Sequence, residues 1–247
     1  MPTPYHAHVP LRERHIQPEL MDDPSLPEAD HDAALDGLAR LNAWSFADRT
    51  FRKPILALNS RREDQSKPLV ILDLATGSGD LVVRLGRWLR ARGIPVHWKA
   101  VDISEHALDR CRDRSRACDL EIETHRLDAI RDPLPPADIA LCSLFLHHLE
   151  SAEVTTVLTR LAECAKHGGI ISDLRRSTTG LFLASFAGRL ATRSPVVHFD
   201  APTSVRAAFT TSELDHLATD AGLPAKKVER IFPQRQRLTW QTGEPTP

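Results

Sequence analysis

The chain has 247 residues, enough for one α/β domain with a modest extension and too few for two full domains of ordinary size. Its 32 Lys and Arg against 33 Asp and Glu leave a net charge of −1, so no global field draws it to nucleic acid or anionic lipid. No apolar run reaches the length of a bilayer span, no charged stretch leads into an apolar one at the N-terminus, and Cys111, Cys118, Cys142 and Cys164 lack disulfide or metal-site spacing. A cytoplasmic protein with reduced thiols, no metal centre and no stable membrane insertion is expected.

Residues 1 to about 27 carry prolines and the histidines His6, His8 and His15 without ligand periodicity, and read as an arm. From Asp30 to Leu58 the apolar positions Leu35, Leu38, Leu41, Phe46, Phe51, Ile55 and Leu58 recur at helical spacing, which predicts two amphipathic helices broken near 43–48. Arg61 to Lys67 is a charged linker. The predicted domain division is therefore an N-terminal arm and helical cap over 1–67 and a core domain over 68–247.

The core begins with an apolar run from Leu69 to Leu72 that ends on Asp73 and turns through Gly77 and Gly79 into a helix carrying Leu81, Val82, Leu85 and Leu89. A strand from Val96 ends at Asp102, and Ser104 is placed to cap the next helix. A weaker strand over 121–127 ends at Asp128, and a fourth, Ile139 to Phe145, runs into His147-His148. Ser151 is read as the cap of a following helix, Gly168-Gly169 as its stop, and Ile170 to Leu174 as a fifth strand. Over 175–210 lies an insertion whose Leu181, Phe182, Leu183, Phe186 and Leu190 predict a short apolar helix, a lid over the cleft. Thr210 and Glu213 form a capping box before another helix, and strands over 226–232 and 234–240 close the chain.

Repeated βα units predict a parallel sheet with right-handed crossovers and ligands at the carboxyl ends of its strands, where Gly77, Asp102, Asp128, Ser143, His147 and Asp173 should converge. The glycine turn alone is ambiguous. Val82 stands where a dinucleotide fingerprint needs its third glycine, and no Gly-Lys-Ser/Thr follows, which disfavours NAD and removes the P-loop.

Leu72-Asp73-Leu74-Ala75-Thr76-Gly77-Ser78-Gly79-Asp80, Val101-Asp102-Ile103-Ser104 and Leu127-Asp128-Ala129 together resemble the three ordered motifs of class I S-adenosylmethionine (SAM) dependent methyltransferases. The likeness is nearest to the quinone and polyketide branch. Glu19-Leu20-Met21-Asp22-Asp23-Pro24 and Ser204-Val205-Arg206-Ala207-Ala208-Phe209 also resemble segments of methyltransferases associated with type III polyketide synthases. The resemblance implies a Rossmann-like, doubly wound, mostly parallel sheet of seven strands, with SAM as cofactor. It implies that Asp102 takes the ribose hydroxyls, Asp128 and the Ala129 backbone the adenine, and Asp73 the amino-acid end. Ala75, Gly77, Ser78, Gly79, Ile103 and Ser143 would complete that pocket.

Methyl transfer requires an aligned nucleophile and, for a phenol or enol, a base. His147 or His148 is the candidate base; as consecutive residues they are expected to point apart, so that one at most faces the substrate. Asp173 and Arg175 are further candidates for orientation or proton transfer. The fourth strand lacks an Asn/Asp-Pro-Pro-aromatic tetrad, which favours a small aromatic or lipidic acceptor over a nucleic-acid base. The expected activity is methylation of a phenolic, polyketide or quinone-like acceptor of secondary metabolism on oxygen. Carbon methylation and a non-catalytic binding protein, monomeric or homodimeric, are the alternatives.

Overall fold

Strands β1 (Leu69–Leu74) and β4 (Ala137–Ser143) are buried on both faces, as a parallel strand between two helical layers must be. With a side-chain period of two, Leu69, Ile71, Ile139 and Leu141 face one core, and Leu72, Leu74, Ala140 and Cys142 face the other. The computed structural model describes residues 11–23 and 25–242, so His6, His8 and Pro24 lie outside it. With β2 (Val96–Asp102), β3 (Ile122–Arg126), β5 (Ala165–Leu174), β6 (Lys227–Ile231) and β7 (Arg235–Gln241), the sheet runs in the order β3-β2-β1-β4-β5-β7-β6. The pairs from β3 to β5 are parallel, and β7 is antiparallel to both β5 and β6. The parallel part is what the βα units predict, and the whole is the seven-stranded, Rossmann-like sheet that the resemblance implies. Its strand order reverses between β1 and β4, which marks the ligand crevice.

Helices α1 (Glu28–Trp44) and α2 (Arg49–Asn59) precede the sheet, with the break where the apolar spacing predicts it. Phe51, Ile55 and Leu58 of α2 join Leu81, Val82, Leu85 and Leu89 of α3 (Asp80–Arg90) in one core. Full burial of each such side chain contributes about 1.5–3 kcal/mol. Helix α4 (Glu105–Arg116) starts where Ser104 accepts a hydrogen bond from Ala107 N, as expected. On the other face, α5 (Ser151–Cys164) and α8 (Thr211–Asp220) bury Val154, Val157, Leu158, Leu161, Leu214 and Leu217.

Several local expectations are corrected. Glu150, not Ser151, caps α5, its N–H donating to the Glu153 carboxylate over 2.8 Å. Gly168 and Gly169 do not stop that helix: they lie inside β5, and a Cβ on Gly169 would meet the Trp240 ring at 2.3 Å and Ala140 O at 2.6 Å. Glycine is there because β7 stacks an indole on it. The segment from Pro195, where the sequence predicts no element, is helix α7 (Pro195–Ala207). Pro195 at its start suits a first turn, and burial of Val196, Val197, Val205 and Ala207 outweighs an interior proline that costs about 3 kcal/mol. The expected apolar helix is present as α6 (Thr178–Ala191), with Phe182, Phe186 and Leu190 exposed. Helix α6 packs on α1 and α7.

Candidate active site

The carboxyl end of β1 passes through three residues with positive φ, Ala75 at 54°, Gly77 at 53° and Gly79 at 74°. Gly79 has no alternative, because a Cβ there would lie 2.4 Å from Cys111 Sγ. The turn is tied to the neighbouring strand ends in a row. Thr76 N donates to Val101 O over 3.1 Å, Gly77 N to Asp102 Oδ2 over 2.8 Å, and Leu127 N to Asp102 O over 3.1 Å. The other Asp102 oxygen accepts from Ser104 N at 3.0 Å. Asp128, next after Leu127, accepts from Ile130 N at 2.8 Å through Oδ1, and Ala129 is buried beside it. Ile103 is 63% exposed on the rim, and Ser78 is buried under the turn.

Asp73 sits beneath that row at 2% exposure. Its Oδ2 accepts from Thr76 Oγ1 at 2.8 Å, whereas its Oδ1 is buried without a hydrogen-bond partner among the described residues. Burial pushes its carboxyl up to about 7, the Thr76 bond opposing this and Asp102 and Asp80 adding to it. An orphaned buried carboxylate oxygen at a glycine turn fits an ammonium group. A ribose diol fits Asp102, whose two oxygens are held by backbone N–H groups at the end of β2. The donor set therefore suits SAM.

A second group lies at the ends of β4 and β5. Ser143 pairs with Ser172 across the two strands, and Leu144 N donates to Ser172 O over 2.9 Å. Leu146–His148 then form a 3-10 turn, which corrects the expectation that the histidines diverge: their ring centroids are 4.3 Å apart. His147, 3% exposed, has Nδ1 2.6 Å from Asp173 Oδ1, and its backbone N donates to Asp173 Oδ2 over 3.1 Å. Burial pushes the Asp173 carboxyl up, but the His147 charge and hydrogen bond more than offset this and hold it below its usual value. Cys142, buried between the two groups, has its thiol raised by burial and then by Asp173 and Asp73, so the cofactor turn and the histidine pair act on one interior. Arg175 points away, donating to Gln234 Oε1.

The other face of His147 is covered by residues that spacing alone does not reveal. Glu19 Oε1 is 3.7 Å from His147 Nε2 and Glu19 Oε2 is 4.0 Å from His148 Nε2. Ser204 Oγ donates to Glu19, and the Asp200 carboxylate accepts from Leu20 N at 2.8 Å and Met21 N at 3.1 Å. Arg14 donates to His147 O over 2.9 Å and Leu149 O over 2.6 Å, with its guanidinium 3.7 Å over the Phe209 ring. Glu19 and Ser204, one from each of the two segments quoted above, thus meet at the histidines. Arg235 of β7, also unforeseen, is buried against Asn42 Oδ1 at 2.9 Å. Burial lowers its guanidinium to about 10, with Asp173 and Asp80 pulling the other way.

Residues 71–169 match the family model described as "Methyltransferase domain". No curated protein matches the chain in sequence. Among solved structures, the chain is similar to an O-methyltransferase family protein from Burkholderia thailandensis, at 20% identity and TM-score 0.57, covering 85% of this chain and 58% of that one. Human N-acetylserotonin methyltransferase in complex with SAM gives 16% identity and TM-score 0.57, over 87% and 57% of the respective chains. An O-methyltransferase family 2 protein from Planctomyces limnophilus, complexed with apigenin, gives 16% and 0.55, over 89% and 63%. The chain spans less than two-thirds of the length of each, and at these identities the likeness is one of fold. Residues 71–169 thus carry a match to a methyltransferase domain, and the solved structures share the fold built around it.

Proposed function

We propose that the chain methylates an oxygen of a small phenolic, polyketide or quinone-like acceptor, with His147 as the base. The observation that carries this reading is the buried His147–Asp173 pair beside the cofactor turn, at 2.6 Å. When bound, SAM supplies a methyl carbon activated by a positive sulfur. Asp102 takes the ribose hydroxyls, Asp128 and the Ala129 N–H the adenine edge, and Asp73 the ammonium, with Ala75, Gly77, Ser78, Gly79, Ile103 and Ser143 around them. Asp173 accepts the Nδ1 proton of His147, which fixes the tautomer and leaves a lone pair on Nε2 for the acceptor hydroxyl proton. His148, its ring tilted against that of His147 at 4.3 Å, is the alternative base. The O-methyltransferase names of the similar structures favour oxygen over carbon. Residues 1–67 serve as arm and helical cap, and 68–247 as the cofactor-binding domain with a lid over 175–210.

Calorimetry with SAM and S-adenosylhomocysteine, followed by turnover on a phenol and quinone panel, tests the reading. His147→Ala is expected to lower kcat by about 10²–10⁴ with SAM affinity retained. Failure of the folded chain to bind SAM overturns the enzyme reading, and full turnover by His147→Ala overturns the base. Mass spectrometry of a position-labelled acceptor separates oxygen from carbon methylation.

A further inference from the structure

Glu19, His147 and His148 bring three metal-ligating side chains together from two distant parts of the chain. One ligand atom from each lies within 4.8 Å of the others. Nδ1 of His147 lies 2.6 Å from Asp173 Oδ1, so Nε2 is the ring nitrogen turned to the Glu19 carboxylate, at 3.7 Å. That separation is wider than an N–H···O hydrogen bond of about 2.7–3.2 Å and within the span of two metal–ligand bonds of about 2.0–2.1 Å.

We propose that Glu19, His147 and His148 bind one divalent transition-metal ion of the zinc class. Two imidazoles and a carboxylate form a ligand set that suits zinc, whereas magnesium and calcium prefer oxygen throughout. The outer partners that orient such ligands are in place: Asp173 on the far ring nitrogen of His147, and Ser204 Oγ on Glu19. Asp200, by accepting from the N–H groups of Leu20 and Met21, fixes the backbone that presents Glu19. His147 and Glu19 are 3% and 8% exposed, so the ion would be shielded from competing water on that side.

The consequence for activity rests on the proposed function: an ion on Nε2 of His147 occupies the lone pair that the base needs. Metal binding and proton acceptance at that nitrogen exclude one another. The metal-loaded form is therefore inhibited.

The test uses the full chain, stripped with a chelator and titrated with zinc chloride in the absence of SAM and acceptor. One zinc per chain is expected, bound at least about tenfold more weakly by Glu19→Gln and by His148→Ala, and about 10–100-fold more weakly by Asp173→Asn. Circular dichroism and cooperative thermal unfolding like the parent's show that the same variants are folded. The proposal is overturned if the folded chain takes up no zinc at micromolar concentration, or if Glu19→Gln and His148→Ala both bind as tightly as the parent. Turnover is expected to fall as zinc is added and to return with chelator; turnover that rises with zinc overturns the inhibition. Because zinc uptake is read without methyl transfer, failure of the methyltransferase reading leaves the metal result interpretable.

Discussion

Burial lifts the Asp73 carboxyl from its usual 3.8 to about 7, so between those values the folded chain holds a proton that the unfolded chain has released. Stability from this group is then fully present below the lower value and lost as pH rises through the upper one. Asp73→Asn should stabilise the cofactor-free chain by on the order of a few kcal/mol at about pH 8, and far less at about pH 4. The same substitution should weaken SAM binding, and SAM affinity of the parent should rise with pH through about 7. Thermal unfolding and calorimetry at several pH values check both signs. Ala75 is a second local cost, since a Cβ at φ 54° is disfavoured where glycine is not. Ala75→Gly is expected to raise stability by about 0.5–1 kcal/mol in denaturant unfolding, the backbone relief exceeding the extra entropy of the unfolded glycine. The places of Asp73, Gly77, Gly79 and Asp102 are legible in the sequence because a strand end and a tight turn are set by a few neighbouring residues. Glu19, Ser204 and Arg235 are not, because each acquires its meaning from a partner far along the chain.

At the scale of elements, periodicity and caps carry most of the reading. The break between α1 and α2, the Ser104 cap and the Thr210–Glu213 capping box all follow from side chains within one turn of the feature they control. The failures share a cause: a tertiary contact overrides a local signal. Gly168-Gly169 has the form of a helix stop, yet Trp240 from β7 needs bare backbone beneath it. Gly169→Ala should therefore destabilise the chain by about 1–3 kcal/mol, the cost of overpacking, with a lower denaturant midpoint as the readout. Helix α7 carries Pro202 in its interior, its buried face held against α1 and the segment around Leu20.

For the whole molecule, the sheet was legible and the cover over the histidines was not. Parallel pairing follows from repeated βα units, whereas the docking of residues 11–22 on α7 depends on Arg14, Asp200 and Ser204 meeting partners at great sequence distance. Arg14 is the central tie, reaching Ala207 O, His147 O and Leu149 O at once. Arg14→Ala is expected to speed limited proteolysis within residues 11–23 while leaving SAM affinity near that of the parent; equal cleavage rates would contradict this role.

These ties also order events on the ribosome. Glu19 and Ser204 are 185 residues apart and Leu20 and Asp200 are 180 apart, so the early segment has no seat until α7 has been made. At about 5–20 residues per second, Glu19 waits roughly 10–40 s for its partner after it is synthesised. The strands β1 to β4, with the glycine turn among them, emerge well inside that interval. A nascent chain thus has the strand ends around Asp73 and Asp102 before Glu19 and α7 can cover the histidines.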